Sequence, residues 1–192
     1  MEDLIIHVHG FLSANNAERV VVLKDYVEKE EKSIEVISPR LSNTPRIAVE
    51  QLHEIIKKEK LRRRRVGLVG YSLGGYFATY LASQYDLPAV LINPVVRGYD
   101  IMCEFFGECY NEHTGEHFDI GEADIDFLIG LHLEPLPNPE RFMVLLQKGD
   151  EIVDPAEALA YYEDSALIVE EGGCHEFEHF ENHVAKVIDF LF

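Results

Sequence analysis

Ser72 stands in Gly70-Tyr71-Ser72-Leu73-Gly74, a G-x-S-x-G pattern. An apolar run, Arg65 to Gly70, precedes it, and a helical pattern, Leu73 to Tyr85, follows it. In that strand–turn–helix context the pattern exposes a nucleophilic serine at a helix N-terminus. The flanking residues are small because strand and helix must approach closely. Free N–H groups and partial positive charge at the helix start favour a developing oxyanion. A serine hydroxyl is weakly nucleophilic at neutral pH and needs a base. Out of context, the same stretch reads as an ordinary Gly-rich turn.

Two later segments supply candidate partners. "LLQKGDEIVDP" carries Asp150 directly after an apolar strand pattern, with Asp154 four residues on. "EEGGCHEF" carries His175 in the loop after the next strand pattern. The order Ser, Asp, His, each at a strand end, suits a triad in which His removes the serine proton and a buried acid holds the imidazole tautomer. Asp150 is favoured because a side chain at the strand end is better fixed. Asp154 precedes Pro155, as a helix N-cap would. The choice between the two aspartates stays open. An oxyanion hole needs two backbone N–H groups. Leu73, after the nucleophile, offers one. "HVHGFLS" offers the other at Phe11, where Gly10 lets the chain turn.

His175 has a second claimant. His175-Glu176-Phe177-Glu178-His179 fits H-E-x-x-H and also H-x-x-E-H. On a helix these place two His one turn apart, with a Glu beside the bound water of a zinc site. In the extended metzincin motif Asn182 stands at the glycine position and Ala185 at the third-ligand position, and alanine cannot ligate zinc. Gly172-Gly173 place His175 at a loop-to-helix junction rather than inside a helix. If the helix runs over 176–191, His183 shares a face with His175 and His179, which leaves room for an adventitious metal. His7 and His9 form H-x-H, read as strand residues with satisfied side chains rather than as a metal pair. No metal or cofactor is expected.

The elements that must position these groups follow from periodicity. Apolar strand patterns cover Leu4 to Gly10, Ser33 to Pro39, Arg65 to Gly70, Leu87 to Pro94, Arg141 to Gly149 and Ser165 to Glu171. Helical spacing covers 15–32, 45–60, 73–85, 155–163 and 176–191. Alternating strands and helices predict a three-layer α/β/α sandwich with a mostly parallel sheet of about six strands. The acidic, aromatic stretch from Arg97 to Glu140 is too long for an ordinary loop. It is expected to be a small, lid-like helical insertion, with a hairpin, over the strand ends of a single 1–192 domain. Arg97, Tyr71, Tyr99 and the insertion are expected to shape an acyl pocket, and Asn93 and Pro94 to help fix the neighbouring loop.

Composition narrows the function further. The chain has 192 residues, 47% hydrophobic and 27% charged, enough for one well-cored domain. A net charge of -18 argues against nucleic acid and anionic membranes as partners. "KKEKLRRRR" (Lys57 to Arg65) holds seven of the seventeen Lys and Arg, and reads best as a helix end favoured by the dipole. No apolar run approaches a membrane span. The acidic start, Met1-Glu2-Asp3, does not suit a signal peptide. The odd cysteines Cys103, Cys109 and Cys174 suggest reduced thiols, so a cytoplasmic location is expected.

With "HVHGFLSANN", "GYSLGGYFATYLA", "INPVVRGYD", "LLQKGDEIVDPAEALAYY" and "EEGGCHEFEHFENH" assembled, the chain resembles the α/β-hydrolase superfamily over essentially its whole length. More narrowly, it resembles the small YqiA/YcfP-type bacterial esterases. The resemblance implies a shortened hydrolase sheet that starts at the H-G strand and lacks the usual first two strands. It implies hydrolysis of small-molecule carboxylic esters or thioesters without a cofactor. It also implies Ser72 as nucleophile, Asp150 as acid and His175 as base. One departure is Gly149 directly before Asp150, where the commoner loop reads G-x-x-D. A non-catalytic binding module on the same fold, or an acyltransferase, is the alternative.

Overall fold

The apolar sheet strands are separated along the chain by amphipathic helices, with one hairpin inserted between the fourth and fifth of those strands. The computed structural model describes residues 2–13, 18–62 and 64–192. In chain order the elements are β1 (Asp3–Val8), α1 (Glu18–Lys29), β2 (Ile34–Ile37), α2 (Pro45–Leu61), β3 (Val66–Tyr71), α3 (Leu73–Tyr85) and β4 (Ala89–Ile92). There follow α4 (Gly98–Cys103), β5 (Gly107–Asn111), β6 (Glu116–Ile120) and α5 (Glu122–Ile129). The chain closes with β7 (Phe142–Gln147), α6 (Pro155–Tyr161), β8 (Ala166–Glu170) and α7 (Val184–Leu191).

Six strands form a parallel sheet in the order β2-β1-β3-β4-β7-β8. Alternate strand residues face opposite layers, so a strand buried on both faces must be apolar throughout. Leu4, Ile6, Val8 and Leu68 pack with α2 and α3. Ile5, Val69, Val90 and Leu145 pack with α1 and α7. Burying each such side chain contributes about 2 kcal/mol, which makes the sheet a rigid platform. The result is the three-layer α/β/α sandwich. Every parallel strand ends on the same edge, where the following loops gather.

Residues 97–140 contain α4, the antiparallel hairpin β5–β6 and α5. Tyr76 Oη in α3 donates to the Leu128 carbonyl at 2.5 Å and so ties α5 to α3. Phe105 and Phe118 pack edge-on against Phe11, with centroids at 5.0 and 5.8 Å. Asn111 donates to Asn43 and Glu116 accepts from Asn43 and Arg40, tying the hairpin to the segment between β2 and α2.

Two sequence expectations change. The last helix begins at Val184, not at 176. Phe177 and His179 adopt positive φ, 62° and 60°, which no helix interior allows. A short 3₁₀ turn at Phe180–Asn182 replaces the expected helical turns. The first part of the expected helix 15–32 lies outside the described residues up to 17, and the observed helix ends at Lys29.

The basic run ends α2 as expected, but its arginines are used as clamps. Arg64 Nη1 pairs with Glu35 at 2.6 Å and Glu59 at 3.2 Å. Arg65 pairs with Asp3 at 2.5 Å and donates to the Phe192 carbonyl. They sit at the start of β3, whereas Ser72 follows its end, so this charge lies at the opposite edge of the sheet.

Candidate active site

Ser72 joins β3 to α3 at φ 53°, ψ −124°, a conformation costing about 1–3 kcal/mol that persists only where neighbours over-determine it. Here Ser72 N donates to Ile92 O at 3.1 Å, while Ser72 O accepts from Gly75 N at 2.9 Å and Val95 N at 3.1 Å. The flanking glycines are required by close approach. A Cβ on Gly70 would lie 2.6 Å from Gly74 O and 2.7 Å from the Ala78 Cβ. A Cβ on Gly74 would drive into the Val8 and His9 carbonyl oxygens.

Three parallel strands deliver the polar groups. Ser72 follows β3, Asp150 follows β7 and His175 follows β8. His175 Nε2 lies 3.0 Å from Ser72 Oγ. His175 Nδ1 lies 2.8 Å and 3.0 Å from the two Asp150 oxygens. With Nδ1 donating to the carboxylate, Nε2 is left to accept the serine proton.

The Asp150 side chain is only 2% exposed. Burial pushes its carboxyl up, but hydrogen bonds from His175, Val153 N and Ile152 N more than offset this and hold it below the usual carboxylate range. Asp154 does not reach His175. Its carboxylate accepts from Ala156 N at 2.9 Å and caps α6.

Leu73 is the first residue of α3, so its amide has no helical acceptor. Leu73 and Phe11 border one shallow cleft, open to solvent and lined by His9, Leu41, Pro45, Ala48 and Phe77. His9 shapes its wall. Its Nδ1 donates to Gly10 O at 2.9 Å and its Nε2 accepts from Leu41 N at 3.1 Å. That pattern needs the neutral ring, and burial lowers the His9 pKa despite the opposing Gly10 bond. His7 binds Ser38 Oγ at 3.0 Å.

The metal readings lose their geometry. The stretch from His175 to His183 is irregular, so His179 and His183 share no helical face with His175. His179 is 74% exposed and faces Glu181, while His183 Nε2 faces Glu170 at 2.9 Å. Among the described residues, no group of three His, Cys, Asp or Glu could hold a metal.

Other expected pocket residues are engaged elsewhere. Arg97 pairs with Glu157 at 2.6 Å and Asp100 at 3.0 Å. Tyr99 meets the His132 ring edge-on. Tyr71 is buried, its ring 5.2 Å from that of His175.

The His175 loop is held by residues that sequence reasoning mostly missed. Asn93, at φ 40°, donates from Nδ2 to the Cys174 and His175 carbonyls at 3.0 and 2.8 Å. Its Oδ1 accepts from Gln147 N. Gln147 Oε1 in turn accepts from Cys174 N and Glu178 N. Glu151 accepts from His175 N at 3.1 Å. Asn93 was expected to fix this loop. For Gln147 the signal in the sequence is a polar residue closing the apolar run "FMVLLQ".

The comparisons with known proteins agree with this architecture. YcfP of Salmonella gallinarum is 27% identical over 194 residues, covering 97% of this chain and 98% of that one. Est1E from Butyrivibrio proteoclasticus superposes with a TM-score of 0.76 at 13% identity, over 97% of this chain and 85% of that one. Alpha/beta hydrolase domain-containing protein 10 from mouse gives 0.72 at 18% identity, over 97% and 88%. The fold is therefore that of the α/β hydrolases. Residues 4–192 match the profile described as uncharacterised protein family UPF0227, and the chain belongs to that family.

Proposed function

We propose that this protein is a serine hydrolase that cleaves small carboxylic esters or thioesters through an acyl-enzyme. The observation that carries this reading is His175 bridging Ser72 Oγ at 3.0 Å and the buried Asp150 carboxylate at 2.8 Å. His175 removes the Ser72 proton as Oγ attacks the acyl carbonyl. The Leu73 and Phe11 amides receive the oxyanion. The imidazolium, held by Asp150, then protonates the departing alkoxide or thiolate. Water then attacks the acyl carbon as His175 takes its proton, and His175 passes that proton to Ser72 Oγ as the acyl–Oγ bond breaks and the acid leaves.

The 97–140 segment acts in this reading as a lid-like part of a single domain. Its Phe105 and Phe118 support Phe11, whose amide is one oxyanion donor. The structural neighbour Est1E has been seen with ferulic acid bound, so a pocket on this fold takes a small carboxylic acid. The three free cysteines fit a reducing compartment such as the cytoplasm. No helix among the described residues is long and apolar enough to cross a membrane.

The test is hydrolysis of p-nitrophenyl acetate and butyrate, with labelling by a fluorophosphonate. Ser72→Ala and His175→Ala are expected to lose nearly all turnover and labelling. His179→Ala and a chelator are expected to change little. Full activity in Ser72→Ala would remove the serine reading. A wild-type protein that neither labels nor turns over would make it a binding module instead.

A further inference from the structure

Arg19 is 4% exposed, although its helix begins only at Glu18. It shares the buried face of α1 with Leu23 and Val27, at the i, i+4, i+8 spacing of one stripe. Its Nη1 donates to the Glu176 carbonyl at 2.6 Å and to Glu176 Oε2 at 2.9 Å. Its guanidinium carbon lies 3.6 Å from the Tyr71 ring centroid. Its Nε and Nη2 are buried without a hydrogen-bond partner among the described residues. A buried cation with two of its three nitrogens unpaired is costly, and an apolar side chain would pack there more cheaply. The residues it does touch are the immediate neighbours of the reacting groups. Tyr71 precedes Ser72, and Glu176 follows His175.

We infer that Arg19 is a positioning residue, which grips the backbone and carboxylate of Glu176 and stacks on Tyr71 so that nucleophile and base keep their register. The inference rests on the serine-hydrolase reading. Asn93 and Gln147 hold the His175 loop through Cys174, His175 and Glu178, and Arg19 holds it from the α1 side. The guanidinium also pairs with Glu176: burial pushes that carboxyl up, but the Arg19 bond and charge, together with the Tyr71 bond and nearby His175, hold it below its usual range. The other polar groups facing His175 are Asp150 and Glu151 after β7, Tyr71 at the end of β3 and Ser72 directly after it. Losing Arg19 therefore does two things. It loosens a contact one residue from the base, and it leaves the Glu176 charge unbalanced beside His175.

The experiment measures pH profiles of kcat and kcat/KM for p-nitrophenyl butyrate in the full chain. The variants are Arg19→Met, Arg19→Lys, Glu176→Gln and the double Arg19→Met/Glu176→Gln, with Ser72→Ala as the control for the reaction itself. Arg19→Met is expected to lower kcat about tenfold or more with little change in KM, since small misplacements at the base cost that much. Its acid limb should move to higher pH, because an unpaired carboxylate favours the protonated imidazole. Glu176→Gln should move that limb to lower pH, and the double variant should bring it back towards wild type. Arg19→Lys should recover part of kcat.

If Ser72→Ala is inactive yet all four profiles overlay the wild type, the inference is overturned while the serine reading stands. If Ser72→Ala is active, the reading itself has failed. Should Arg19→Met not fold, the Glu176→Gln shift and the Arg19→Lys rate decide the matter. Neither would move if Arg19 served packing alone.

Discussion

Replacing Asp150 by Asn changes one atom and tests the whole arrangement. Asp150 Oδ1 accepts from Ile152 N and Val153 N, both at 2.9 Å, while Oδ2 makes the shorter 2.8 Å contact with His175 Nδ1. Two backbone donors already converge on Oδ1, so the Asn oxygen stays with them and its NH₂ turns to His175. An NH₂ opposite Nδ1 favours the tautomer with Nδ1 bare and Nε2 protonated. That tautomer cannot take the Ser72 proton. The expected loss in kcat is about 10⁴-fold, equivalent to about 5.4 kcal/mol of barrier. The fold should survive, since the two amide bonds remain. Burst and steady-state hydrolysis of p-nitrophenyl butyrate, with thermal melting alongside, would read both quantities. Asp154→Ala is the companion, expected to cost about 1 kcal/mol of stability as a lost cap and almost nothing in kcat. A fully active Asp150→Asn beside an inactive Asp154→Ala would refute this reasoning.

Gly70→Ala should destabilise by about 3 kcal/mol or more, because the backbone atoms 2.6 Å from the new Cβ belong to the elbow itself; chemical denaturation would measure it, and a wild-type midpoint would contradict the close-approach argument. Asn93→Ala should cost about 3 kcal/mol, since it removes the partner of Gln147 N and two carbonyls and places Ala at φ 40°; kcat should fall with it, and normal melting and turnover would show the clamp to be dispensable. His7 is fully buried, and burial, then the Arg19 charge and the neighbouring His9, lower its pKa to about 3. Its folded pKa is below the unfolded value of about 6.5, so it contributes full stability above pH 6.5 and loses it as pH falls towards 3, at about 1.4 kcal/mol per unit. Urea titrations between pH 6.5 and 5 should therefore lose about 2 kcal/mol more in the wild type than in His7→Phe, and equal losses would contradict the buried-neutral assignment.

Much of the architecture was legible because it is local. Helix 73–85 is observed at the predicted boundaries, since apolar periodicity and the preceding glycine turn define it without help from distant residues. The six sheet strands are each found within two residues of their predicted ends. The hairpin and helices of 97–140 were expected only in outline, because short, half-buried elements owe their shape to what they pack on. The last helix was overextended. Glu176 to His183 carries helical spacing, but the backbone groups there are taken by Gln147 and Arg19, from elements far away in sequence.

By itself, the sequence determined that a strand, a small-residue turn and a helix would present Ser72, and that aspartate and histidine candidates would follow later strands. It could not choose between Asp150 and Asp154, which lie in one loop and differ only in direction. Nor could it exclude a helical His175–His179 pair, since the motif is compatible with a helix until φ turns positive. The tertiary structure sets the Asp150 carboxylate against His175, turns Asp154 to cap α6, and gives Phe177 and His179 positive φ. The order β3-β4-β7-β8, all parallel, brings residues 103 positions apart to within 3.0 Å on one sheet edge. Convergence of that kind depends on strand order and on buried amide and guanidinium contacts, and no local periodicity encodes those.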